Sequence, residues 1–129
     1  MKIENYTLRI LVCGDRNWQD RQMIRDVLGL YELVPDVLVI DGMAPGADTI
    51  GNEVAEDFGM GTRRFKVDWD KYGLAAGPIR NQKQLDEGKP HLILAFHQNI
   101  ANSKGTKDMV NRARKAGIPT CIFPQKKFA

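Results

Sequence analysis

Three segments of this chain read as strands buried on both faces. They are Leu8–Cys13, apolar apart from Arg9; Val37–Ile40; and His91–Phe96, apolar after its first residue. A strand covered on one side alternates apolar and polar residues, whereas a continuous apolar run belongs inside a parallel sheet with helices on both sides. Each run opens through small or polar residues into a stretch with helical spacing. Gly14-Asp15-Arg16-Asn17 follows the first, Asp41-Gly42-Met43-Ala44-Pro45-Gly46 the second, and the segment from His97 to Thr106 the third. This recurring strand-to-helix turn confines the chain to right-handed βαβ units.

The intervening segments agree. Met23, Ile24, Val27, Leu28 and Tyr31 form one face of a helix between Trp18 and Tyr31. Ala47–Phe58 is helical, with Ile50, Val54 and Phe58 in a stripe and Gly59 as the stop. Thr62–Val67 alternates Arg64 and Lys66 against Phe65 and Val67, the pattern of a half-exposed edge strand. After the loop Asp68–Ala76, Gly77-Pro78 opens a short helix to about Leu85 with proline at its first position. Gly105–Ala116 is helical and closed by Gly117, Thr120–Phe123 is a last short strand, and the Lys126-Lys127 tail is expected to fray. With the apolar strands central and the others at the edges, the expected fold class is α/β. It is a single Rossmann-like domain over 1–129 (core about 8–123), a five-stranded parallel sheet of order 3-2-1-4-5 with helices on both faces.

Composition narrows the function classes. Hydrophobic residues at 43% and charged residues at 27% describe a globule with a core, and no apolar run reaches the roughly 20 residues of a membrane span. No signal-peptide core precedes the first strand, so the expected location is cytoplasmic, with no membrane partner. Cys13 and Cys121 both lie in strand-like runs without CxxC spacing, which favours buried thiols over a metal or redox site. The net charge of +3 suits anionic ligands but is far from a dedicated basic stripe.

In a sheet of this order, ligands bind beyond the carboxyl ends of the strands, at the switch point between the first and fourth. Four loops converge there. In the first, Gly14 permits close backbone approach and Arg16 can fork onto a phosphate or carboxylate; Asp15 and Trp18 are its other ligand-facing candidates, and Asn17 capping the first helix is the structural alternative. In the second, Gly42, Ala44, Gly46 and Ala47 leave backbone N–H groups uncovered for a phosphate. Asp48 there either complements the helix dipole or binds a ribose hydroxyl. The turn is neither GxGxxG nor a Walker A loop. In the third, Trp69 and Tyr72 stack on a base or cover the core edge, and Arg80 and Asn81 sit in a first helical turn. In the fourth, Ser103, Gly105 and Thr106 are phosphate contacts at a helix N-terminus, with capping by Asn102 or Ser103 as the alternative. His97, without an evident partner, is set aside as structural.

As a set, four blocks resemble the YspA-like (cpYpsA-related) branch of the SLOG superfamily. They are Arg9–Arg16, Asp41–Asp48, the stretch Asp68-Trp69…Tyr72-Gly73…Ala76-Gly77-Pro78-Ile79-Arg80-Asn81, and Gly105–Met109. The resemblance covers about 8–123, in order. It implies a Rossmann-like fold that binds nucleotides or nucleotide-derived ligands, in a superfamily including the "lonely guy" phosphoribohydrolases and the DNA-binding DprA/Smf proteins. It further implies homo-oligomers and a place in nucleotide signalling or conflict systems, some of them phage-encoded. The phosphoribohydrolases carry a PGGxGTxxE motif, whose Glu assists glycosidic cleavage together with an Arg from the preceding helix. Gly105-Thr106 aligns with the GT and Arg80 with the Arg, but Met109 stands at the Glu position and Asn102-Ser103-Lys104 at the PGG. Asp108 is no substitute, being about 100° away around the helix.

The expected function is therefore binding of a nucleotide-like small molecule, with its phosphate on helix N-termini and with neither cofactor nor metal. The alternative is a nucleotide N-glycosidase, with Asp48 or Asp15 as acid/base and Arg80 assisting. A single-stranded DNA-binding module is a third reading. Scattered positive charges (Arg63, Arg64, Lys66, Arg112, Arg114, Lys115) disfavour nucleic acid as a partner.

Overall fold

A computed structural model describes residues 2–124 of the chain; Lys126 and Lys127 lie outside the described residues. The elements are β1 (Leu8–Gly14), α1 (Arg21–Gly29), β2 (Val37–Asp41), α2 (Ala47–Asp57), β3 (Gly61–Arg64), α3 (Trp69–Tyr72), α4 (Ala76–Gly88), β4 (Leu92–Phe96), α5 (Gly105–Lys115) and β5 (Thr120–Phe123). All five strands pair in parallel in the order β3-β2-β1-β4-β5, as the apolar runs require.

The sheet divides two apolar layers. Ile10, Val12, Val39, Leu94 and Phe96 meet Ile24 and Leu28 of α1 and Val54 and Ala55 of α2 on one face. Leu11, Leu38, Ile40, Ile93 and Ala95 meet Leu85 of α4 and Met109, Val110 and Ala113 of α5 on the other. Alternate residues of β1, β2 and β4 thus feed opposite layers, which is why these strands carry no polar alternation. No helix among the described residues is long and apolar enough to cross a membrane.

Several boundaries differ from the sequence reading. The first helix starts at Arg21 rather than Trp18, and its cap is Asp20, whose Oδ1 accepts from Met23 N at 3.1 Å, not Asn17. Trp18 is instead a wedge in the core, its ring 5.9 Å from that of Phe96 and its Nε1 donating to Asp20 O at 2.9 Å. The edge strand ends at Arg64, and Arg64 turns inward to a buried carboxylate that local alternation does not reveal. The loop Asp68–Ala76 contains α3, and α4 starts one residue before Gly77 and runs on to Gly88, with Pro78 inside its first turn, where no intrahelical N–H is needed.

Candidate functional site

The carboxyl ends of β1 and β4 and the start of α2 meet at Asp15. Asp15 N donates to Phe96 O at 2.8 Å and Ala47 N to Asp15 O at 3.1 Å, so α2 begins on the backbone that leaves β1. Gly14 makes this fit: a Cβ there would lie 2.8 Å from Ala47 Cβ and from the Phe96 carbonyl carbon. Gly46, at φ 75°, similarly brings α2 against the Asp15 and Arg16 backbone.

The turn between β2 and α2 is filled from within at its β2 end and open at its helix end. The N–H groups of Gly42, Met43 and Ala44 already have acceptors, whereas those of Gly46, Asp48 and Thr49 have none among the described residues. Asp48 Oδ2 accepts from Gly42 N at 2.9 Å and Ala44 N at 3.4 Å, and Asp41 Oδ1 accepts from Met43 N at 2.7 Å. Carboxylates of the chain itself therefore occupy the donors nearest β2. Arg64 Nε straddles both Asp41 oxygens at 3.0 and 3.1 Å, and its Nη2 reaches Thr49 Oγ1. Asp41 is fully buried and Asp48 is 5% exposed.

Burial pushes the Asp48 carboxyl up to about 7, reinforced by the nearby Asp41 charge and opposed by Arg80 and the two backbone N–H groups. Burial also raises Asp41, against the Met43 N–H and Arg64. Beneath them, burial pushes the Cys13 thiol far up, so it is held as the neutral thiol.

Arg80 crosses from α4 on the opposite face of the sheet. Its Nη1 donates to Gly42 O and its Nε to Asn81 Oδ1 at 3.0 Å, leaving Nη2 without a hydrogen-bond partner among the described residues. Burial lowers the guanidinium pKa, countered chiefly by Asp48, and the group remains a cation. Asn81, 4% exposed, is a tie between helices: its Nδ2 donates to Asp108 Oδ2 at 3.0 Å and to Gly105 O at 3.3 Å. Arg112 completes this seam through Asp108 at 2.8 Å and Gln82 at 3.0 Å.

At the α5 N-terminus Ser103 Oγ accepts from Thr106 N at 3.0 Å, so the capping alternative holds for Ser103. The first intrahelical bond in this turn is Asp108 N to Lys104 O, and the N–H groups of Gly105 and Lys107 have no acceptor among the described residues. A Cβ on Gly105 would meet nothing within 4 Å, so the space beside these donors is open.

Gly14, Asp15, Gly42, Ala44, Gly46, Ala47, Asp48, Arg80 and Asn81 are thus brought together by direct contacts, and Asn81 ties Gly105 to them. Arg16 is exposed, with no ion pair among the described residues. Trp69 and Tyr72 are solvent-facing at 57% and 39% exposure, and Lys71 Nζ lies 5.1 Å over the Tyr72 ring. Met109 is 1% exposed within the core, so the position of the hydrolases' carboxylate points away from the sheet edge. Asp41, Arg64 and Asp108 are the contributors the sequence reading did not select. The register Asp41↔Arg64 between β2 and β3 is the signal that pairs the first two. A cleft of about 300 Å³ lined by Tyr6, Val37, Phe58 and Gly61 lies at the opposite end of the sheet, where β2 and β3 begin, and shares no residue with this cluster.

Comparison with known proteins agrees with this fold. The solved structure of DNA processing protein A (DprA) from Streptococcus pneumoniae superposes with a TM-score of 0.74 at 16% identity, over 96% of this chain and 52% of that one. The present chain spans about half the length of that protein, and the likeness establishes the Rossmann-like α/β fold. The Gene 61 protein of Mycobacterium phage D29 is 34% identical over 125 residues, covering 92% of this chain and 98% of that one. A family profile described as "YspA, cpYpsA-related SLOG family" matches residues 8–72, which hold β1, the filled turn and the Asp41–Arg64 pair. The chain belongs to the YspA, cpYpsA-related SLOG family (YAcAr).

Proposed function

We infer that this protein binds a nucleotide or nucleotide-derived anion across the carboxyl edge of its sheet. The observation that carries the reading is the state of Arg80. Two acceptors, Gly42 O and Asn81 Oδ1, fix its guanidinium, and Nη2 is left over for a ligand. Through Asn81 this cation is tied to the α5 turn, where the N–H groups of Gly105 and Lys107 are open donors at the positive end of a helix. A fixed cation beside unpaired N–H groups is suited to phosphate. A thermal-shift or native mass-spectrometry screen against a nucleotide library tests this. Binding that disappears in Arg80→Gln supports it; a library without a single binder sinks it.

A second reading, cleavage of an N-glycosidic bond, has one observation in its favour. A buried carboxyl titrating near neutrality, such as Asp48, has the proton affinity of a general acid. Incubation with nucleotides, followed by chromatography for free base, separates the two readings. Base released at turnover rates and abolished by Asp48→Asn favours the enzyme; tight binding without product favours the receptor. The fold is shared with a DNA processing protein, so single-stranded DNA belongs in the same screen although the positive charges are scattered.

A further inference from the structure

We propose that this protein self-associates head to tail, the basic outer face of α5 on one copy docking on the acidic α1–α2 side of the next. The formal charge of +3 conceals a segregation. From Asn17 to Thr62 the only cations are Arg21 and Arg25, and Glu53 and Asp57 pair with them at 2.7 and 3.1 Å. Asp26, Glu32, Asp36 and Glu56 in the same stretch are exposed, with no ion pair among the described residues. From Gly88 onward the only acidic residue is Asp108, and Arg112 pairs with it at 2.8 Å. Lys104, Lys107, Arg114 and Lys115 are exposed, again with no ion pair among the described residues. At about 100° per residue these four share the face of α5 turned away from Met109, Val110 and Ala113. α1 and α2 cover one face of the sheet and α5 the other, so the fold turns an asymmetry of sequence into two oppositely charged sides.

Charge decides the symmetry. A two-fold dimer through either side would set that surface against itself, cation on cation or carboxylate on carboxylate. Docking the basic side on the acidic side pairs opposite charges instead. Because the two sides lie on opposite faces of the sheet, each added copy leaves one of each free, and the product is an open chain, or a ring where the rotation closes. The acidic side also has a receptacle. Glu32 and Asp36 line the cleft of about 300 Å³ with Tyr6 and Phe58, and no cation is among the described residues that line it. The Phe58 ring already carries Arg25 Cζ 5.0 Å from its centroid, and an Arg or Lys side chain from a second copy suits the same chemistry. A second copy accounts for both charged sides at once. A nucleic acid would account for the basic one alone, and Lys104, Lys107, Asn111, Arg114 and Lys115 offer no aromatic ring on which a single strand could stack.

Sedimentation velocity of the full chain over a series of protein concentrations tests this. At an ionic strength of about 0.01 M, where charges are felt over about 30 Å, the average mass is expected to rise with concentration to about twice the monomer's or more. At about 1 M, where that distance is about 3 Å, only monomer is expected. Lys107→Gln/Arg114→Gln/Lys115→Gln removes the basic side, and Asp26→Asn/Glu32→Gln/Glu56→Gln removes the acidic side. Each variant alone is expected to stay monomeric at low salt. Mixed in equal amounts, the two are expected to form a species that stops at two copies, since each contributes one intact side of opposite sign. Wild type that is monomeric throughout overturns the proposal, as does assembly undiminished at high salt, a dimer that neither variant weakens, or a mixture that does not pair. Assembly that appears only when a DNA oligonucleotide is added, and is lost only in the Lys/Arg variant, assigns the basic side to nucleic acid and overturns it too. The substituted side chains are all exposed, and circular dichroism checks that each variant folds. Should one not fold, the wild-type salt series and the other variant carry the test.

Discussion

Arg80 lies across Gly42, its Nη1 donating to the Gly42 carbonyl within the volume that a Cβ on residue 42 would fill. Such a Cβ would sit 2.6 Å from Arg80 Cζ. The flexible guanidinium, rather than the backbone, is the partner that yields. Gly42→Ala is therefore expected to change stability by no more than about 1 kcal/mol but to weaken nucleotide binding about as much as Arg80→Gln. Paired thermal melts and ligand titrations check this; wild-type affinity in Gly42→Ala would show that the contact does not position the cation.

Asp48 gives stability a defined pH dependence. Its folded pKa is about 7 against an ordinary 3.8, so between those values the folded chain holds a proton that the unfolded chain releases. Stability contributed by this group consequently falls as pH rises from about 4 to 7. Asp48→Asn removes that slope and is expected to be more stable than wild type at pH 8 by on the order of 2 kcal/mol, with little difference at pH 4. Urea unfolding across that range measures it; a wild-type midpoint no more pH-sensitive than the variant's would refute the raised Asp48 pKa.

Arg64 is held to Asp41 through Nε at 3.0 and 3.1 Å, and Asp41 is fully buried. Arg64→Ala leaves that carboxylate with the Met43 N–H alone and is expected to cost about 2–4 kcal/mol at pH 8. The loss is expected to shrink as pH falls, because burial already raises the Asp41 pKa and protonation removes the unpaired charge. Arg64→Lys, without the forked geometry, is expected to recover only part. Chemical denaturation of both variants at pH 8 and pH 5 decides it, and equal losses at the two values would count against the ion pair.

Met109→Glu recreates the hydrolases' motif in sequence but not in space. With Met109 1% exposed among apolar neighbours, the new carboxyl is buried without a partner, at an expected cost of more than about 3 kcal/mol. Circular dichroism and a free-base assay are the readouts. A folded variant that releases base would show that α5 can rotate its apolar face toward the sheet edge.

The sheet order was legible because apolar runs of four to six residues admit few other placements, and the helix faces followed from their spacing. Errors arose where one residue type serves two purposes. Trp18 extends an apolar helical pattern, yet fills the space against Phe96 before the helix starts. Arg64 looks like the exposed half of an edge strand, yet neutralises a carboxylate on the neighbouring one. In the site, the glycines and Arg80 were legible from local chemistry. The partner of the turn's N–H groups was not, because Asp48 reaches back six residues to Gly42 and nothing local distinguishes that from an aspartate soothing a helix dipole.

The internal hydrogen bonding of Gly42–Ala44 has a kinetic signature. The amides of Gly42, Met43 and Ala44 are bonded without any ligand, so their deuterium uptake is expected to be slow in the free protein and nearly unchanged on binding. Those of Gly105 and Lys107 are expected to exchange quickly and to slow only when the site is occupied. The Gly42–Ala44 segment thus has the character of a rigid template whose ordering entropy was spent during folding, and the amides expected to report a ligand are those still open in the free protein.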